Sequence, residues 1–185
     1  MTGFDAPANV LGALAPIVTD RTADAIAAAA AGQPVTDAAA LSALHHILDR
    51  PTVDRLAQVL GLTHSGAVRL VDRLTAAGCV TREPGPDGRS LSVALTRKGE
   101  RAAARVSAAR AGLLSAALAE LSPAERSTLH ELLGRVLGAL VQSKVADAPG
   151  AGGWTCRLCD LTACGRPEGH CPAANAARAV LPRER

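Results

Sequence analysis

A single change of apolar rhythm constrains this chain more than any other feature. Its Leu, Val and Ile residues recur at three- and four-residue steps along most of the length, the spacing of one helix face, and only residues 79–95 switch to a step of two. The expectation is a mainly α protein with one small β-hairpin, an α+β arrangement dominated by helices. The 185 residues suffice for one medium domain, or a small domain with an appendage. Ala occupies 40 positions and is weak core material, so Leu, Val and Ile alone mark the buried faces.

Residues 8–31 read as a helix with Val10, Leu14, Ile17 and Val18 on one face, stopped by Gly32-Gln33-Pro34. A second helix runs from Thr36 to Asp49 with Leu41, Leu44 and Leu48 at helical spacing, and Pro51 follows its end. Residues 52–62 form a short amphipathic helix whose Val53, Leu56, Ala57 and Leu60 face inward. Gly61 supplies the tight turn after it, where two crossed helices need a backbone without Cβ. Thr63 is the expected N-cap of the next helix, which turns Ala67, Leu70, Val71 and Leu74 inward and ends at Gly78.

Leu91, Val93 and Leu95 then alternate with Ser90, Ser92 and Ala94 as a half-exposed strand, with Val80 to Glu83 as its partner. The intervening Pro84-Gly85-Pro86-Asp87-Gly88 is dense in turn formers, which makes the pair a hairpin. Helical pattern resumes after Thr96 to about Leu121. Ser122-Pro123-Ala124-Glu125 opens another helix as a capping box, carrying Leu129, Leu132, Leu133, Val136, Leu137 and Leu140 towards Val145. The expected organisation is an N-terminal dimerisation helix (1–35), a winged helix-turn-helix lobe (36–97), C-terminal dimerisation helices (98–146), a Pro/Gly linker (147–153) and a Cys-bearing tail (154–185).

Charge is concentrated in the middle. Residues 50–105 hold ten Arg and Lys against five acids, a local excess of five within a chain of net charge +3. A localised Arg excess suits a phosphate-facing surface. One Phe, one Trp and no Tyr leave little aromatic platform for stacking bases, which weighs against a reader of single strands or an RNA-recognition sheet. In a winged helix-turn-helix the second helix enters the major groove and the hairpin reaches along the backbone or into the minor groove. His64, Ser65 and Arg69 are then the base-facing candidates, and Arg73, one turn on, suits a phosphate. Arg89 is the expected contact at the wing tip, with Asp87 orienting it or pinning the wing to the helices.

These residues resemble the MarR family of bacterial transcription regulators. The resemblance is carried by Val68-Arg69-Leu70-Val71-Asp72-Arg73-Leu74, Ala77-Gly78, Arg82, Asp87-Gly88-Arg89 and Leu95-Thr96-Arg97-Lys98-Gly99. They look like that family's recognition helix, its wing with an Asp-x-Arg signature and its entry into the next long helix. The resemblance implies a homodimer, most often a repressor, whose terminal helices interlock while two lobes grip a palindrome. The DNA-binding set it implies is His64, Ser65, Arg69, Arg73, Arg82, Asp87 and Arg89. Gly66 and Val68 stand where relatives usually carry polar groups, so base readout is not expected of those two. Relatives also take small aromatic acids or carry reactive thiols, which makes a small-molecule effector a further expected partner. His45-His46 would either line its site or pack as core or interface residues, and Cys79 reads as a small buried hydrophobe.

The tail holds Cys156, Cys159, Cys164 and Cys171 in C-x2-C-x4-C-x6-C spacing, with His170 an alternative ligand. A stretch rich in Gly and Pro with few large apolar residues cannot fold by burial, and ligation of a metal would order it. Cys156 and Cys159 have the bite of a tetrahedral thiolate site. Pro172 after the last Cys is found in iron–sulfur loops, and Cys-Pro-Ala-Ala-Asn resembles the end of the cluster loop in SoxR-type redox regulators. Zn2+ and an iron–sulfur cluster both stay open, beside a metal-free dithiol switch and an inert tail. The expectation is a DNA-binding regulator modulated by this site; the alternative is a metal or redox module that uses the winged helix to dock a protein. No nucleophile–base motif or phosphate loop appears, so an enzyme is not expected. Without an export signal or an apolar run of membrane length, the chain reads as cytoplasmic with no membrane partner.

Overall fold

In the computed structural model, residues 3, 5–30, 34–85, 90–147 and 156–180 are described. The chain order is α1 (Ala6–Ala29), α2 (Val35–His46), α3 (Val53–Leu60), α4 (His64–Ala76), β1 (Val80–Pro84), β2 (Leu91–Leu95), α5 (Arg97–Ala117), α6 (Pro123–Asp147) and α7 (Pro172–Val180). Local chemistry sets most of these boundaries. Asp5 caps α1, its carboxylate accepting from Ala8 N–H at 2.8 Å. Thr52 and Thr63 cap α3 and α4 through their hydroxyls. Ser122 and Glu125 close the expected capping box at α6, with Ser122 N–H donating to the Glu125 carboxylate at 2.8 Å. α2 stops three residues short of Asp49, because Leu48 N–H turns back to the Ala43 carbonyl and Arg50 takes a positive φ of 41° before Pro51.

The lobe core gathers Leu41 and Leu44 of α2, Leu56 of α3, Leu70, Val71 and Leu74 of α4, Val80 and Val93 of the hairpin, and Ala102 and Ala103 of α5. Truncating one of these Leu side chains to Ala costs about 2–5 kcal/mol, because the neighbours cannot fully close the hole. Cys79 is buried in the same core. Gly61 ends α3 in the left-handed region at φ 69°, and α4 starts three residues later.

β1 and β2 pair antiparallel, from Val80 opposite Leu95 to Pro84 opposite Leu91. The strict inward alternation expected of Leu91, Val93 and Leu95 fails at the outer end: Leu91 is 56% exposed while Ser92 is buried. The cause is a third segment. Thr52 bridges Ser92, and the Pro51 carbonyl accepts from Val93 N–H at 2.9 Å, so the outer flank of β2 is covered just before α3.

The stretch from Leu95 to Gly99 welds the hairpin to α5. Thr96 accepts from Gly99 N–H at 3.1 Å and donates to the Gly78 carbonyl at 2.8 Å. Lys98 donates to the Ala77 carbonyl at 2.7 Å, a cation on the negative end of α4. A Cβ at Gly99 would overlap the Cys79 carbonyl oxygen, so only glycine permits this approach.

α1 and α5 pack together through Ile26, Ala30 and Val106, with Ala38 of α2 joining them. The first half of α1 lies away from the rest of the chain, with Val10, Leu11, Leu14, Ile17 and Val18 all exposed. Leu132, Leu133, Val136 and Leu140 of α6 are exposed as well. No helix among the described residues is long and apolar enough to cross a membrane.

Candidate nucleic-acid interface

The helix-turn-helix presents the N-terminus of α4 to solvent. His64, Ser65 and Arg69 are all exposed there, on the face opposite Leu70, Val71 and Leu74. Ser65 shares a hydroxyl contact of 3.3 Å with the cap Thr63. His64 Nδ1 sits 2.5 Å from Asp54 of α3, a bond that fixes the imidazole across the turn. Arg69 makes no ion pair among the described residues, so its guanidinium extends from the lobe with its donors available.

The other arginines are committed. Arg73 Nη2 donates to Asp37 Oδ1 at 2.6 Å and its Nε to Oδ2 at 3.4 Å, a two-point grip on a carboxylate that is 5% exposed. This pair ties α4 to the first turn of α2 and raises the guanidinium pKa, chiefly through the hydrogen bond to Asp37. Arg73 is half exposed and, through this pair, also acts as a strut of the lobe. Arg82 of β1 donates to Asp72 of α4 at 2.6 Å and so binds the wing to the recognition helix. That pinning role was expected of Asp87. Asp87 and Arg89 lie outside the described residues; on either side of them Gly85 N–H donates to the Ser90 carbonyl at 2.8 Å.

Of the three carboxylates that hold these side chains, Asp37 and Asp54 were not anticipated, and Asp72 pairs with Arg82 of the hairpin instead of an arginine of its own helix. Asp37 lies 36 residues from Arg73, and the other two pairs are ten residues apart, beyond the reach of any local motif. A weak signal existed for Asp37, an acid in the first turn of a helix whose other buried residues are mostly Ala and Leu.

His46 joins α2 to α5 through its Nε2 and Ser107 Oγ, 2.8 Å apart. Burial lowers its pKa, helped by the adjacent His45 and opposed by Asp160. The two imidazoles meet edge to face at 4.6 Å. These histidines mark the joint between the lobe and the long helices.

The tail folds against that joint. Its four cysteines form one apolar cluster with Val141 of α6 and Ala173 and Ala176 of α7. The Cys164 thiol donates to the Leu161 carbonyl at 3.3 Å. The neighbouring Cys156 thiol brings the Cys159 thiol down to about 7, against the effect of burial and with help from Arg110; Cys156 itself is pushed up. His170 is exposed and packs its Cβ on Gly165. Among the described residues, no three His, Cys, Asp or Glu side chains are already arranged around one ion position.

An exposed polar N-terminus on the second helix of a tight pair, braced by a hairpin, defines a winged helix-turn-helix protein. Comparison with known proteins narrows the class: residues 33–90 match the MarR family model. That match spans the winged lobe and less than half of the chain, so it says which family the lobe is similar to. The chain is similar to RV1404 from Mycobacterium tuberculosis at 26% identity and a TM-score of 0.61, covering 74% of this chain and 95% of that one. A probable transcriptional regulator from Pseudomonas aeruginosa is 29% identical at a TM-score of 0.52, covering 68% and 95%. A mutant of MepR from Staphylococcus aureus, bound to an oligodeoxyribonucleotide, shares the fold at 16% identity and a TM-score of 0.55, covering 75% and 99%. No curated protein sequence matches the chain.

Proposed function

We propose that the chain is a sequence-specific repressor that binds a palindromic DNA operator as a homodimer. The observation that carries this reading is Arg69, exposed and without an ion-pair partner among the described residues, beside His64 and Ser65 at the N-terminus of α4. A guanidinium placed there can bond a guanine edge twice, while the braced wing reaches the adjacent backbone. The local charge excess of residues 50–105 supplies the phosphate attraction.

The dimer is supported by what one chain leaves uncovered. A half-helix without tertiary contacts is marginal in water. Apolar stripes such as Val10, Leu14 and Ile17 on α1 and Leu132, Val136 and Leu140 on α6 mark a protein contact. A twofold partner would cover both stripes and set two recognition helices roughly 34 Å apart, one turn of DNA. A dimer seated across an operator blocks access to the promoter, which makes repression the natural outcome. A small-molecule effector would act at the joint between lobe and long helices, where His45 and His46 lie.

The test is duplex binding by fluorescence anisotropy across a salt series, on random duplex and on sites selected from a random pool. Affinity should fall steeply with salt, and selected sites should be palindromic. Arg69→Ala should weaken a selected site by about 1–3 kcal/mol, or roughly 5- to 150-fold, and relax preference at one position in each half-site. A flat salt dependence would overturn the reading and favour the protein-docking alternative.

A further inference from the structure

The cysteine tail does not hang free of the regulator. Residues 156–171 are turns, closed by Cys159 N–H to the Cys156 carbonyl at 2.8 Å and by Asp160 Oδ1 accepting from Thr162 and Ala163 N–H. α7 then lies along α6, with Pro172 over Gly134 and Ala176 over Gly138. Between these elements the apolar contacts are mostly sulfur and methyl groups: Cys156, Cys171, Ala173 and Ala176 are the buried residues of the tail. Such small groups bury too little area to order so many turns.

The surroundings have the features a thiolate centre needs. All four cysteines pack into one cluster, two from the C-x2-C turn, one from the turns that follow and one from the start of α7. Two guanidiniums lie close enough to act on them electrostatically, Arg110 of α5 on Cys159 and Arg166 on Cys156. Positive charge in that position offsets the net negative charge that four thiolates place around a divalent ion. His170 stands outside, exposed on Gly165.

The same turn reaches the junction of the lobe and the long helices. Leu158, inside the C-x2-C loop, packs against the cluster formed by Ile26 and Ala30 at the end of α1, Ala38 of α2 and Val106 of α5. Asp160 acts on His46 of α2 across the same gap. A loop fixed by its own cysteines therefore wedges one side chain into the place where the lobe meets the long helices.

We propose that Cys156, Cys159, Cys164 and Cys171 are the ligands of one tetrathiolate metal centre, which folds the tail and seats Leu158 in the joint between α1, α2 and α5. Binding replaces the four S–H bonds with four sulfur–metal bonds. With Zn2+ the four thiols release four protons and no electrons move; an iron–sulfur cluster would use the same four thiolates with iron and inorganic sulfide. The centre then acts on the lobe mechanically, through Leu158, and does not depend on which DNA sequence the lobe reads.

The test uses the full chain purified anaerobically under a reductant, with zinc, iron and sulfide measured per chain and the visible spectrum recorded. A colourless protein with stoichiometric zinc and a coloured one with iron and sulfide both support the centre and distinguish its two forms. Cys159→Ser and Cys171→Ser should each cut the metal content at least fivefold. Stripping the wild type with a chelator should speed amide exchange at residues 26–30, 38–46 and 105–110 at least tenfold and leave Leu70 to Leu74 unchanged. Leu158→Ala should keep the metal and show the same local loss of protection, which guards against variants that merely unfold the tail. The proposal is overturned by a reduced protein that holds no metal and takes up none when titrated with Zn2+. It is equally overturned by serine variants that keep full metal, by the four cysteines paired as disulfides under reductant, or by joint protection that ignores both chelation and Leu158→Ala.

Discussion

Replacing Arg73 by Ala separates a structural strut from a phosphate ligand. Asp37 is 5% exposed and Arg73 49%, with two bonds between them. Breaking a fully buried pair by removing one partner costs about 3–5 kcal/mol, whereas an exposed pair is worth about 0–1. With one partner buried and the other half solvated, Arg73→Ala should cost about 2 kcal/mol, an intermediate figure. Part of the loss is softened because Asp37 occupies the first turn of α2, where the helix dipole favours a carboxylate. The reverse change is milder: Asp37→Ala leaves a guanidinium that water can reach, at about 1 kcal/mol. Thermal unfolding followed by circular dichroism at fixed protein concentration should show Arg73→Ala melting about 4–8 °C below the wild type. Asp37→Ala should lose about half of that, and the double variant less than the sum of the two. A melting point within about 1 °C of wild type for Arg73→Ala, together with a salt slope of duplex binding reduced by about one, would refute the strut and return Arg73 to the phosphate backbone.

Three further outcomes follow from other parts of the fold. Gly99→Ala drives a methyl into the Cys79 carbonyl and should cost about 3 kcal/mol, read as a lower urea midpoint at unchanged m-value. The lowered pKa of His46 means that the unfolded chain takes up a proton there more readily. Its contribution is therefore full above the ordinary histidine value of about 6.5 and is lost as pH falls through and below it. His46→Gln should flatten the fall in melting temperature between pH 7.5 and 5, and an equally steep fall in that variant would exclude His46 as its source. Ile17→Glu and Leu140→Glu each place a charge in an exposed apolar stripe. Light scattering should show the wild type at twice the chain mass and these variants shifted towards the monomer; a monomeric wild type would remove the dimer.

The sequence by itself determined whatever is written within about one helical turn or one strand step. Thr63 and Ser122 cap their helices, Gly61 turns the chain between α3 and α4, and the change of apolar period at residues 79–95 becomes the hairpin. Such features are legible because the interacting groups are two to four residues apart and need no knowledge of what packs on what. The tertiary structure decided which cations are available. Arg69 and Arg73 stand one turn apart on the same helix, and only the crossing of α2 under α4 delivers Asp37 to one of them. The same holds for Arg82 on Asp72, for Ser92 covered by Thr52, and for Leu158 carried from the tail into the joint beside Ile26 and Val106. Charge pairing and burial depend on distances across the fold, and those are fixed by how helices cross, which composition and spacing do not encode.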